Sequence, residues 1–72
     1  MSTIHLEAVD RQVLKAIGVL TERGEALNLS AIAKASTQSW AVTVDAVNRL
    51  RHAGLITAAL TLTDEGRAEL AR

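Results

Sequence analysis

From Asn28 to Ile56 the chain reads NLSAIAKASTQSWAVTVDAVNRLRHAGLI, and this stretch decides the fold. It predicts two helices joined by a short polar turn, then a Gly-Leu-Ile exit into extended chain. Asn28 is a candidate N-cap, because its side-chain oxygen can accept from free amides of the first helical turn. The helix behind it is expected over about Leu29 to Ala35, with Ile32 and Ala33 inward and Lys34 in solvent. Ser36, Thr37 and Gln38 make the turn. Thr37 or Ser39 caps the next helix, expected from roughly Ser39 to Ala53. On a helical wheel Trp40, Thr43, Ala46, Val47 and Leu50 cluster on one side, and Ala41, Asp45, Asn48 and His52 on the other. Val42 and Val44 lie outside the apolar stripe. Trp40 lies on it, which reads as a plug between the helices; an exposed anchor for a protein partner is the alternative reading.

The segments on either side support this unit. A helix is expected from near His5 to about Arg23, with Leu6, Val9, Val13, Ala16, Ile17 and Leu20 on one stripe. Glu7 and Arg11 are spaced as a favourable i,i+4 pair. Leu14 and Val19 fall off the stripe, where they either face a second subunit or widen the buried face. Gly18 either allows a close helix crossing or is tolerated at a cost in helix propensity. Gly24 is placed to stop the helix, as Gly54 is for the later one. Leu27 or Leu29 could add a short edge strand. Residues 55–62, LITAALTL, predict a small β-hairpin turning near Thr57 to Ala59. Thr63 then caps a closing helix over about 64–71, with Asp64 and Glu65 at its positive end. That helix buries Leu70 and Ala68, and DEGRAEL otherwise reads as a solvated face. The whole chain, residues 1–72, reads as one domain with the paired helices at about 28–54.

Composition narrows the function classes. Apolar residues make up 49% of the chain, too many for a disordered tail. Trp40 is the only aromatic, which argues against a stacking platform for single-stranded nucleic acid. There are no cysteines, so disulfides and thiolate metal sites are excluded, and a reducing cytoplasm fits. No apolar run approaches the ~20 residues that cross a bilayer, so no membrane partner is expected. His5 and His52 stand in different elements with no acidic or cysteine cluster around them, and no metal is expected. Ser36, Ser39, Asp45 and His52 supply hydrolase residue types without a glycine-rich elbow or oxyanion loop. No catalytic residue and no cofactor are assigned, and the chain does not read as an enzyme.

Three pieces together resemble the winged helix-turn-helix superfamily, and in particular the DNA-binding domain of MarR- and PadR-like bacterial regulators. LSAIAKAS resembles the first helix of the motif, with small Ala33 at the crossing. VNRLRHAGLI resembles the end of a recognition helix leading into a wing. LTLTDEGRAEL resembles the last strand and following helix. The resemblance implies a mainly α fold with a small β-hairpin: a three-helix core, a short wing and a C-terminal helix. It also implies a homodimer that sets its third helices into successive major grooves of double-stranded DNA. Carried onto this chain, base-reading positions are Gln38, Ser39, Ala41, Val42, Asp45 and Asn48. Phosphate contacts fall to Lys34, Arg49 and Arg51, with Ser30 and Thr37 as further candidates. Gln38 and Asn48 suit adenine edges, Ala41 or Val42 a thymine methyl, and Asp45 a cytosine amino group.

A second function stays open beside this one. Net charge is zero, with eight Lys and Arg against eight Asp and Glu, where a DNA-binding domain is expected to be basic. Thr37 stands where the family often has glycine. QSWAVTVD carries no cation, and the TAALTL segment has no basic tip. These features suit a protein-binding winged helix, for example a phage or mobile-element protein that inhibits or adapts a host complex through the neutral face of its third helix.

Overall fold

Four helices make up most of a computed structural model that describes residues 6–72: α1 (Ala8–Glu22), α2 (Leu29–Ser36), α3 (Trp40–His52) and α4 (Asp64–Leu70). The chain is therefore mainly helical, in the order the sequence predicts. Asn28, Ser39 and Thr63 cap α2, α3 and α4, accepting from Ala31 N (2.8 Å), Val42 N (3.3 Å) and Gly66 N (3.0 Å). The start of α1 differs from expectation. Glu7 is its N-cap, and the Glu7 N–H donates to Asp10 Oδ2 at 3.4 Å. His5 lies outside the described residues.

The first three helices end in the same way. The N–H five residues on returns to a carbonyl of the last turn: Glu25 to Leu20, Gln38 to Ala33 and Leu55 to Leu50. A second bond, spanning three residues, nests inside each: Gly24 to Thr21, Thr37 to Lys34 and Gly54 to Arg51. This pattern puts one residue in the left-handed region, where a Cβ is strained and glycine is favoured. Gly24 (φ 69°) and Gly54 (φ 78°) meet that demand; between α2 and α3 a threonine, Thr37 (φ 56°), meets it instead. The Thr37 hydroxyl donates to the Ser36 carbonyl at 2.6 Å. A β-branched residue held there costs on the order of 1 kcal/mol or more. Thr37→Gly is expected to raise the unfolding free energy by roughly 0.5–1 kcal/mol, read from chemical denaturation. A loss of stability would mean that the hydroxyl bond outweighs the strain.

The core is continuous across Val13, Leu14, Ile17 and Leu20 of α1, Ile32 of α2, Ala46, Val47 and Leu50 of α3, and Leu55 and Ile56 beyond it, with half-buried Leu70 of α4 packed against it. α1 packs against each of the other three helices, and α2 against α3. Each large aliphatic buried here contributes about 2 kcal/mol of transfer free energy. Leu14 is 1% exposed, so it widens the buried face of α1; Val19, at 42%, points away from it.

Four local expectations are corrected. No strand forms at Leu27 or Leu29, since Leu29 opens α2. In residues 55–62 the only β pairing is an isolated antiparallel bridge, Ile56 with Leu62. Thr57 explains why no longer ladder forms. Its N–H donates to Thr61 O (2.8 Å), its carbonyl accepts from Leu60 N (3.0 Å), and its hydroxyl bonds Thr61 Oγ1 (2.7 Å). The resulting turn, with Leu60 at φ 68°, takes up the residues that would have extended two strands. In α4 the buried positions are Gly66 and Glu69, whereas Leu70 is half-buried and Ala68 exposed. Arg11 does not pair with Glu7; it reaches across to buried Glu69 at 2.8 Å, and Arg72 holds the other oxygen at 3.2 Å. No helix among the described residues is long and apolar enough to cross a membrane.

Candidate nucleic-acid interface

The buried side of α3 sets what its outer side presents. Thr43, Ala46, Val47 and Leu50 face the core, and the Thr43 hydroxyl donates to the Ser39 carbonyl at 2.8 Å, tying the helix start to its cap. The opposite side is left to solvent. Ser39, Trp40, Ala41, Val42, Asp45, Arg49, Arg51 and His52 are exposed, and Gln38, Val44 and Asn48 are half-buried.

Trp40 corrects the sequence reading. It is 57% exposed rather than a plug between helices. The wheel gives direction around the helix axis but not position along it. Trp40 is the first residue of α3, a turn before Thr43, where burial begins. Ala41 and Val42 (37% exposed) are likewise exposed on the first turn of the helix.

The predicted base readers have partners of their own. The Gln38 amide donates to Gln12 Oε1 of α1, leaving its carbonyl oxygen open. Ser39 is occupied by its cap. Asn48 accepts from Arg51 Nη2 at 2.8 Å and keeps its amide hydrogens as donors. Asp45 takes part in no ion pair among the described residues, nor does Lys34, which extends from α2.

Arg49 is the largest departure from the expected site. Its Nη2 and Nε donate to Asp10 Oδ1 at 2.8 and 3.0 Å, and Nε also reaches Oδ2 at 3.2 Å. Asp10 is 2% exposed, while half of the Arg49 side chain remains in solvent. The hydrogen bonds that the guanidinium donates to Asp10 hold its pKa above the ordinary value. Arg49 therefore fastens α3 to α1 and carries a charge already compensated by a buried carboxylate. Sequence reasoning missed Asp10. Its spacing to Val13, Leu14 and Ile17 puts it on the buried face of α1, so the signal was a charge sitting inside an apolar stripe.

Ion pairing extends to most of the cations. Of the eight Lys and Arg, Arg11, Arg23, Arg49, Arg67 and Arg72 pair with carboxylates among the described residues, leaving Lys15, Lys34 and Arg51. Two of those three, Lys34 and Arg51, belong to the α2–α3 unit. In comparisons with known proteins, no family description, no characterised protein and no solved structure matches this chain.

Proposed function

We propose that the chain is a winged helix-turn-helix DNA-binding regulator with a minimal wing, acting as a dimer and laying α3 in the major groove. The observation that supports this reading is the exposure of Ser39, Trp40, Ala41, Val42 and Asp45 at the start of α3, on a helix anchored from behind by Thr43, Ala46, Val47 and Leu50. A recognition helix needs that combination of a fixed back and an open front. Lys34 and Arg51 supply phosphate contacts at either side of α3, and the charged but paired Arg49 adds a weaker one. Gln38 keeps its carbonyl oxygen and Asn48 its amide hydrogens for an adenine edge, and Ala41 and Val42 offer methyl contacts.

Selection from a random duplex pool is expected to yield a two-fold sequence. Asn48→Ala or Gln38→Ala should then reduce preference for it over random DNA by roughly tenfold, about 1–3 kcal/mol per lost base contact. Arg51→Ala should weaken binding to all sequences alike. A pool from which no sequence is enriched would overturn the reading.

The exposed Trp40 favours a second reading, a protein-binding winged helix. Tryptophan is enriched among the residues that dominate protein interfaces, and Trp40 and Val42 are both exposed on the first turn of α3, which carries no cation. On this reading a stoichiometric protein partner is lost on Trp40→Lys or Val42→Lys. Insensitivity to both would remove this face of α3 from consideration.

A further inference from the structure

We propose that two copies of the chain associate through the outer face of α1, antiparallel about a two-fold axis between Gly18 and Val19. Lys15 of each copy then pairs with Glu22 of the other. The proposal rests on the dimeric part of the reading above and is independent of whether the partner of α3 is DNA.

Among the described residues, three large hydrophobic side chains are exposed: Trp40 and Val42 on α3, and Val19 on α1. Val19 borders a shallow groove between α1 and α4, floored by Gly18, Leu62, Leu70 and Ala71. The surface is low beside Val19 because Gly18 has no side chain. A Cβ there would stand 2.8 Å from Leu70 Cδ1. One face of one helix thus carries both an apolar ridge and the hollow to receive it, as an interface that repeats itself on both partners requires.

The charges fix the orientation. Lys15 and Glu22 flank the groove, and neither takes part in an ion pair among the described residues. They are seven residues apart, two helical turns or about 10 Å along one row of α1, and their midpoint lies between Gly18 and Val19. In an antiparallel pair centred there, Lys15 meets Glu22 twice and Gly18 meets Val19 twice. A parallel pair in the same register would set Lys15 against Lys15 and Glu22 against Glu22. Only the antiparallel arrangement satisfies the ridge, the hollow and both charges together. Arg67, on the rim, is already paired with Asp64 at 3.2 Å and is not needed.

Sedimentation equilibrium of the full chain tests the interface. The wild-type chain is expected to form a reversible dimer within a range extending to about 1 mM. Lys15→Glu and Glu22→Lys should each weaken it by about tenfold or more, because each sets like charges together at two symmetry-related places. The two substitutions combined should restore it, with the pairs reversed, and Val19→Asp should abolish it. Lys15, Val19 and Glu22 are exposed, so the circular dichroism of the variants should match the parent. A monomer throughout the range overturns the proposal together with the dimeric reading. A dimer indifferent to the single reversals, or one the double reversal fails to restore, overturns this interface and leaves a dimer formed elsewhere.

Discussion

Gly66→Ala is expected to lower the unfolding free energy by about 3 kcal/mol, enough to leave a domain of this size partly unfolded at room temperature. Gly66 is buried in the first turn of α4, where its N–H completes the Thr63 cap. A Cβ at this position would overlap the Leu55 carbonyl oxygen and come within 3.3 Å of Leu62 Cδ2. The Leu55 carbonyl cannot move aside freely, because it accepts from Thr63 N at 3.1 Å and Leu55 itself is fully buried. Absorbing the methyl group means displacing α4 from α1 or breaking the bond that closes the residual hairpin. Gly18→Ala is the matched control. There the added carbon meets only the end of a flexible Leu70 side chain, and helix propensity improves by about 1 kcal/mol. In the dilute monomer its net effect should stay within about 1 kcal/mol of zero. Denaturant midpoints for the two variants measure the contrast; a Gly66→Ala protein as stable as its parent would show that α4 is not seated on that carbonyl.

Asp10→Ala should destabilise the fold by about 2 kcal/mol, from the loss of a charge-assisted, doubly bonded contact between α1 and α3. Arg49→Ala should do more damage than Asp10→Ala. Arg49 is half in solvent and can rehydrate when Asp10 is removed, whereas Asp10 is 2% exposed and would be left as a buried carboxylate without its cation. The paired substitution Asp10→Leu with Arg49→Met should recover most of the loss, because apolar groups of similar volume need no partner. Denaturation of the three variants and the parent gives the comparison. If Asp10→Ala were the more damaging change, the burial asymmetry invoked here would be wrong.

The sequence is most informative where a pattern has a local cause. Helix ends follow from caps and glycines, and Asn28, Ser39, Thr63, Gly24 and Gly54 all act as their types predict. The α1 stripe and the Thr43, Ala46, Val47 and Leu50 face likewise follow from helical spacing. What local pattern does not carry is height and partner. Trp40 has the azimuth of a core residue but stands beyond the end of the core. Arg49 reads as a solvent cation until α1 brings Asp10, 39 residues away, under it. Glu69 reads as part of a solvated run until Arg11 and Arg72 close on it. The hairpin failed for a related reason: the β-favouring residues are present, but the Thr57–Thr61 bonds spend them on a turn. For the candidate interface, the exposure of Ala41, Val42 and Asp45 was legible, while the partners that occupy Gln38 and Arg49 depend on contacts across the fold.

The most direct test of the central claim, that α3 meets duplex DNA, is a salt titration of binding to random-sequence duplex. On that reading Lys34, Arg49 and Arg51 would give three phosphate contacts per copy and six in a dimer, so log K should fall against log salt with a slope of about −5. Because Arg49 is already paired with Asp10, its removal should shift that slope less than removal of Arg51. Binding at low salt with a slope between about −3 and −6 is the predicted result. No detectable binding at the lowest salt, or binding that does not respond to salt, would contradict the account and leave Trp40 and Val42 facing a protein.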